Sequence, residues 1–429
     1  MKKNRTKDPS RNTEFASGRL ASTRKLTLPE VLVKVGRSLR ELVTSSGLEI
    51  FRSLLEEDQA MMCGPRRQPQ ADRQAFRHGT TEGPLVFGGR KIRLTRPRVR
   101  SIKGREMELP SWKEFSEEDP LHERAVEQML VGVSTRGYAR SLEPLDEDHE
   151  SVGVSRSSVS RRFVTRTKEQ VTAFLSRSLG ELDLPVIMLD GVCLAEHVLI
   201  IALGIDTDGR KHVLGLVEGS TESEGVCRSL LRNLIDRGLK VERARLFVID
   251  GSKGVRKAIR SVFSGWALVQ RCQVHKLRNV LDHLPEAKRS WMRAAIRRAW
   301  AAETADKARR KLKDLASQLD ETHPGAAASL REGLEETVTV LDLGLEGCLL
   351  KTLCSTNPIE NLNGGLKRLT RNVKRWRGGA MAQRWGATAV MEAEKRFRRI
   401  KGHRDLPQML KALDALIAGA RVDKTRRVA

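Results

Sequence analysis

"PVIMLDG" (185–191) is a short apolar run that stops at Asp-Gly. Four consecutive apolar residues between a proline and a turn signal read as a buried strand, because a helix would need a longer run. The pattern returns in "RLFVIDG" (245–251). Between the two, "EHVLIIALGID" and "KHVLGLVEG" read as further strands joined by a turn at 207–209. Val226, Leu230, Leu231, Leu234 and Ile235 then recur at helical spacing. A helix over about 254–263 and a fifth strand, "ALVQRCQVH", complete the series. The order is strand, strand, strand, helix, strand, helix, strand. Three sequential strands are most simply antiparallel, and strands joined by helices parallel. The expected class is mixed α/β.

In each Asp-Gly run the aspartate shares a sheet face with the residues two and four before it: Met188 and Val186 for Asp190, Val248 and Leu246 for Asp250. If these strands are neighbours, both carboxylates emerge at one end of the sheet. Such carboxylates repel, and burial adds to the cost. A divalent cation relieves it, since Mg²⁺ prefers a few carboxylate oxygens and keeps its other positions for water or phosphate. The alternative is that each aspartate starts a tight turn, for Asp-Gly is also a hairpin signal. Asp206 and Asp208 lie in an evident turn and read as structural.

Two-metal phosphoryl transfer normally uses a third carboxylate. "STNPIENLNGGLKR" (355–368) offers Glu360. Asn357 can cap a helix, Pro358 suits the first helical position, and Glu360 stands where a capping-box carboxylate belongs. On a helical wheel, Ile359, Leu362, Leu366, Leu369 and Val373 form the core face, with Glu360 opposite beside Asn363, Lys367, Arg371 and Lys374. Asn363 and Gly364 follow Glu360 at the spacings where a salt-bridge partner would stand. Capping and chemistry both fit Glu360 at this point. Gly364-Gly365 weakens a helix by about 1 kcal/mol per residue, which invites a reason such as a passing phosphate backbone or a helix break. Cys272-x-x-His275 is half of a zinc site without a visible second half. It reads as a local group beside the acids, or as an inert buried cysteine next to an exposed histidine.

Composition bounds the partners. The 429 residues suggest about two to four domains. The formal net charge of +25, spread along the chain, calls for a polyanion, and nucleic acid is the usual one. Aromatic residues are 4% of the chain and Tyr138 is the single tyrosine, too few for base-stacking platforms, so double-stranded DNA is the expected partner. The six cysteines are scattered, which suits a reducing compartment. No apolar run is long enough for a membrane span, and the basic N-terminus lacks the apolar centre of a signal peptide. Neither a P-loop nor a nucleophilic Ser or Cys motif is present, so NTPase and hydrolase classes rank low.

Toward the N-terminus, residues 1–26 read as a basic flexible tail, 28–62 as helical, and 63–84 as an irregular basic connector. In "VFGGRKIRLTRPRVRS", Gly88-Gly89 signals a hairpin; after it Ile92 and Leu94 alternate with Lys91, Arg93 and Thr95 until Pro97 interrupts. The hairpin can lie on phosphates or be a solvated edge strand. In "VGVSRSSVSRRF" (152–163), Ser155 can cap a short helix with Val159 and Phe163 inward and Ser157, Ser158, Arg161 and Arg162 outward, like the second helix of a helix-turn-helix. Residues 277–350 lose the strand signal and read as a helical insertion of long charged amphipathic helices containing Trp291, Ile296, Trp300, Leu312 and Leu315.

Taken in order, "LDGVCLAEHVLIIALGIDTDGRKHVLGL", "FVIDGSKGVRKAIRSVF", "RCQVHKLRNVL" and "STNPIENLNGGLKR" resemble the Mutator-type family of DDE transposases found in bacterial insertion sequences. The resemblance runs roughly from 185 to 402 and more weakly through "FGGRKIRLTRPRVRS". It implies a ribonuclease H-like catalytic domain interrupted by an all-helical insertion and preceded by helical DNA-binding domains. The layout it suggests is a tail (1–26), a helical region with a basic hairpin (27–112), a helix-turn-helix-like region (113–180), a catalytic domain in two parts (181–276 and 353–402) around the insertion (277–352), and a C-terminal helix and basic tail (403–429). By resemblance Asp190, Asp250 and Glu360 match the metal-binding acids, Cys272 and His275 match a pair beside the active site, and Asn357 and Asn363 fall in the motif around the glutamate. The implied cofactor is two Mg²⁺ ions, with Mn²⁺ as a substitute. The implied activity is DNA strand cleavage and transfer on terminal inverted repeats and target DNA, by a homodimer or larger assembly, in the prokaryotic cytoplasm at the nucleoid. A non-catalytic DNA-binding regulator of the element and a metal-dependent structure-specific nuclease are the competing classes.

Overall fold

The computed structural model of the chain describes residues 28–68, 74–88, 90–117, 122–143, 145, 151–152, 155–219 and 221–428. The expected tail over 1–26 lies outside them. The chain forms two compact units: Met1–Pro120 with Leu142–Val152, and Leu121–Ser141 with Gly153–Ala429.

In the first unit, helix α1 (Leu28–Cys63) buries Leu48, Phe51 and Leu55. Strands β1 (Ala75–Phe87) and β2 (Arg90–Ser101) form an antiparallel hairpin. Strand β3 (Glu106–Met107) pairs with one end of β2; helix α2 (Pro110–Glu117) follows, and β4 (Ser151–Val152) pairs with the other end of β2. The stretch 63–84, expected as an irregular connector, therefore holds most of a strand. Its polar residues from Arg77 to Glu82 lie largely exposed, so no apolar alternation betrays the strand. Lys91, Arg93 and Thr95 are exposed while Ile92 and Leu94 are buried, as the alternation requires. Pro97 does not end β2. It pairs with Thr80 beside a register shift between Arg77 and Thr80, where an irregular ladder tolerates a residue without an N–H.

The second unit opens with α3 (His122–Val131) and α4 (Arg156–Ser176). Helix α4 is 21 residues long rather than short, with Val159 and Phe163 buried. Ser155 caps it, accepting from Ser158 N–H at 3.3 Å. Gly153, expected in the turn before it, lies outside the described residues. Ser155→Ala should lower stability by about 1 kcal/mol; an unchanged denaturation midpoint would contradict the cap.

A five-stranded sheet follows: β5 (Val186–Leu194), β6 (His197–Ile205), β7 (Lys211–Gly219), then α5 (Glu224–Asp236), β8 (Arg245–Ile249), α6 (Lys253–Phe263) and β9 (Ala267–Arg271). Its order is β7-β6-β5-β8-β9. The first three strands are antiparallel and β5, β8 and β9 are parallel, as the element order predicts. Strand alternation splits the core. Ile187, Leu189, Phe247 and Ile249 pack against α5 and α6 through Leu231, Leu234, Ile259 and Phe263. Val186, Met188, Leu246 and Val248 face a second apolar layer that includes Phe174 of α4 and residues from 340 onward.

After β9 come α7 (Gln273–Asp282), α8 (Glu286–Trp300), α9 (Ala305–Leu319), α10 (Pro324–Arg331), α11 (Thr339–Asp342) and α12 (Gly347–Leu353), which with a short 3-10 turn are all helical. Helices α7 to α10 share a core of their own around Ile296, Trp300 and Leu312, with Trp291 51% exposed, while Val340 of α11 and Leu349 and Leu353 of α12 join the second apolar layer of the sheet. The chain then returns to the sheet with α13 (Asn357–Thr370) and α14 (Gly379–Glu394), and ends in α15 (Leu406–Val428). Leu366, Ala389, Val390, Leu406 and Met409 from these three helices close the second apolar layer. No described helix is long and apolar enough to cross a membrane.

Candidate active site

The register of the parallel strands sets the site. Val186 pairs with Leu246, and the ladder continues to Leu189 with Ile249. Asp190 and Asp250 are the next residues on the two strands, so they leave the ladder side by side. Asp190 is not at a strand end, contrary to the sequence expectation. Strand β5 runs on to Leu194 because Asp190 still pairs with Ile201 of β6 on its other side. Asp250 begins the loop into α6, and one of its oxygens accepts from Ser252 N–H at 2.8 Å.

The two Asp-Gly pairs have different causes, and neither is a hairpin turn. Gly251 has φ +113°, and a Cβ there would overlap the Arg271 guanidinium. Gly191 stays in the strand, and a Cβ there would overlap the carboxylate of Glu222. Glu222, which sequence reasoning missed, lies in the loop just before α5. A glycine inside a continuing strand was the one signal that something approaches closely there.

The acids act on one another. Burial, then the charges of Asp250, Glu222 and Glu360, push the Asp190 carboxyl up to about 7, against the opposing pull of His275. Burial and the Asp250 charge likewise hold Glu222 above the usual carboxylate range.

Helix α13 brings the third acid. Thr356, not Asn357, stands at its cap position, and Asn357 is the first helical residue, exposed. The helix starts early because Thr356 is fully buried and pinned: its N–H donates to Cys272 Sγ at 3.4 Å, and its Oγ1 lies 3.3 Å from the same sulfur. The Thr356 hydroxyl donates to Glu360 Oε1 at 2.5 Å. Glu360 is thus held by a side chain, not folded back as a capping-box carboxylate. Nδ1 of His275 stands 3.7 Å from Glu360 Oε1, and donor atoms of Cys272, His275 and Glu360 all lie within 4.8 Å of one another. Cys272 is at the cap of α7 and His275 is inside that helix; the fifth strand stops at Arg271. Burial pushes the Cys272 thiol up, but hydrogen bonds with His275 and Thr356 outweigh it and hold it low. The hydrogen bond with Cys272 raises His275 against the effect of burial, with Glu360 and Asp250 adding to the rise.

Asn363 departs from its expected place on the exposed face. It is 7% exposed, and its Nδ2 donates to Asp190 Oδ2 at 2.7 Å. The wheel misplaces it because α13 packs on β5 as well as on the apolar layer holding Leu362 and Leu366. Its Oδ1 is buried without a hydrogen-bond partner. Lys367 is exposed on α13, whereas Arg371 and Lys374 fall at and beyond the helix end at Thr370. The helix is unbroken at Gly364-Gly365; a Cβ on Gly364 would meet nothing within 4 Å.

Of the remaining candidates, Lys91 and Arg93 belong to the hairpin of the first unit. Ser157 and Arg161 are exposed on α4, and Arg162 is half-buried. Phe163 and Val164 of α4 line a groove of about 910 Å³ with Lys374, Arg375, Trp376 and Trp385. Asp206 is structural: its carboxylate accepts from Asp208 and Arg210 N–H at 3.0 and 2.8 Å and meets His212 Nε2 at 2.8 Å.

A sequence model of the family described as "Transposase, Mutator family" matches residues 24–399. The chain belongs to the Mutator family of transposases. This Mutator-family chain is 29% identical over 360 residues to the transposase for insertion sequence element ISRM5 of Rhizobium meliloti (strain 1021), covering 81% of this chain and 85% of that protein. It is 27% identical over 358 residues to the transposase for insertion sequence element IS256 in transposon Tn4001 of Staphylococcus aureus, covering 80% and 87%. The match spans both of the family member's compact units and all of Asp190, Asp250 and Glu360.

Proposed function

We propose that the protein is a DNA transposase of the DDE type, which cleaves DNA at the ends of an insertion sequence and joins those ends to a target. The observation that carries this reading is the position of Asp190 and Asp250 directly after the last paired residues of two adjacent parallel strands, with Glu360 one helical turn before the Asn363 that holds Asp190. The mixed sheet supports a ribonuclease H-like catalytic fold, in which three antiparallel strands are followed by two parallel ones through helical crossovers.

The donor set fits Mg²⁺, or Mn²⁺ in its place. The carboxylates of Asp250 and Glu360 are near enough for their charges to act on Asp190, Asp190 is destabilised as an anion, and an amide oxygen lacks a donor. Asp190, Asp250 and Glu360 would hold the two ions. When bound, these ions activate water or a DNA 3′-hydroxyl for in-line attack and stabilise the leaving oxygen. The protein's own part is orientation. Ser252 N–H fixes one oxygen of Asp250, Asn363 fixes one of Asp190, and Thr356 fixes one of Glu360, leaving the second oxygen of each free. Cys272 and His275 hold Thr356 and stand beside Glu360.

Exposed Lys91, Arg93, Arg161, Lys367, Arg371 and Lys374 serve as phosphate contacts for double-stranded DNA. Affinity should then fall linearly on a log–log plot against salt. Lys91→Ala combined with Arg93→Ala should lower that slope by about 2. A slope unchanged by the double substitution would remove the hairpin from the interface. Joining two ends to one target also calls for a dimer or larger assembly on DNA.

The deciding experiment incubates the protein with inverted-repeat DNA, target DNA and Mg²⁺. Joined products are expected. Cleavage without joining would favour a structure-specific nuclease, and binding without cleavage a regulator.

A further inference from the structure

We propose that Glu222 is a fourth acid of the cation site, acting with Asp190 and Asp250 on the bound metal; this rests on the metal-dependent reading above. Glu222 precedes Ser223, the residue that caps α5 by accepting from Val226 N–H at 3.4 Å. The cap is thus complete without it, and its carboxylate instead hydrogen-bonds with the side chain of Ser252, two residues after Asp250. That carboxylate fills the space a Cβ would take at Gly191, the residue after Asp190. Its backbone oxygen fills the corresponding space at Gly254, in the first turn of the helix that follows Asp250. Two glycines therefore seat Glu222 between the segments that carry the two aspartates. Among the described residues no lysine, arginine or histidine forms an ion pair with it. A half-buried carboxylate beside two others and without a cation partner is costly.

A second observation points to a ligand. Asn363 is 7% exposed, its Nδ2 is committed to Asp190 Oδ2 at 2.7 Å, and its Oδ1 has no donor. Leaving such a buried acceptor unsatisfied is costly. Water on a cation held by Asp190 would supply the missing donor. Mg²⁺ commonly keeps several waters, so an amide acceptor and a fourth carboxylate around one hydrated ion are compatible.

The test is Mn²⁺ binding to the full-length protein, read by electron paramagnetic resonance and by calorimetry, alongside thermal unfolding in EDTA. Glu222→Gln keeps the size and removes the charge. It should weaken Mn²⁺ binding by about 10–100-fold, the range seen when a group supporting a metal is lost, and leave the EDTA melting temperature equal or higher. Gly191→Ala, which displaces the Glu222 carboxylate, should weaken binding in the same direction. If Glu222→Gln binds Mn²⁺ as the wild type does, while Asp190→Asn is weakened, the inference about Glu222 is overturned and the metal-site reading stands. If the wild type binds no Mn²⁺, or Asp190→Asn binds as well as the wild type, the metal-site reading itself fails. A lowered EDTA melting temperature with unchanged Mn²⁺ affinity would make Glu222 a structural group and likewise overturn the inference.

Discussion

Asp190→Asn, Asp250→Asn and Glu360→Gln should each reduce DNA cleavage by at least about 10³-fold, with duplex binding nearly unchanged. The magnitude follows from the arrangement. On the proposed reading, the oxygens of these acids not tied up by Asn363, Ser252 and Thr356 would hold the cations, and removing one charge would disable the site as a unit. Fold and DNA contacts are spared because each amide keeps the size and an acceptor oxygen. Glu360→Gln is the sharpest of the three. Its Oε1 can still accept from Thr356, so α13 should start where it does now. Full strand-transfer activity in Glu360→Gln with a lowered melting temperature would end the catalytic assignment and return Glu360 to a structural role.

The second large effect is on stability against pH. The Asp190 carboxyl is raised from 3.8 to about 7, first by burial and then by Asp250 and Glu222. A carboxyl whose pKa is higher in the folded protein favours folding while it is protonated. That contribution is complete below pH 3.8 and is lost as pH rises toward about 7. The metal-free protein should lose roughly 1.4 kcal/mol per pH unit from this group within that window, on the order of 4 kcal/mol in all. Mg²⁺ reverses the sign, because it binds the ionised form and displaces the proton. Its stabilising effect should be large at pH 7.5 and small at pH 5. Thermal unfolding across this range, in EDTA and in Mg²⁺, measures both. An identical pH slope in Asp190→Asn would exclude this carboxyl as the cause.

Much of the sheet was legible because its strands are buried on both faces. Runs such as Val186–Leu189 and Leu246–Ile249 are apolar without interruption, and no helix of that length competes. The nearness of Asp190 and Asp250 followed only conditionally, since adjacency of β5 and β8 is a property of the sheet, not of either run. Strand β1 was hidden because its polar residues face solvent for most of its length. Asn363 was misplaced because a single wheel assumes one buried face, while α13 has two neighbours. Thr356 was overlooked in favour of Asn357, since local capping rules carry no knowledge of the buried Cys272 that pins it. Glu222 lies in a loop with no periodicity, and only its effect on Gly191 marks it.

The order of the chain has a consequence during synthesis. Asp190 and Asp250 are made well before α13, α14 and α15, which close one face of the sheet with Leu366, Val390 and Met409. A ribosome that has finished β9 holds two of the acids on a sheet whose second apolar face has only α4 against it, and no Glu360. Such an intermediate exposes apolar surface and is a target for chaperones and proteases. The three acids therefore come together only after α13 has been made, late in the chain.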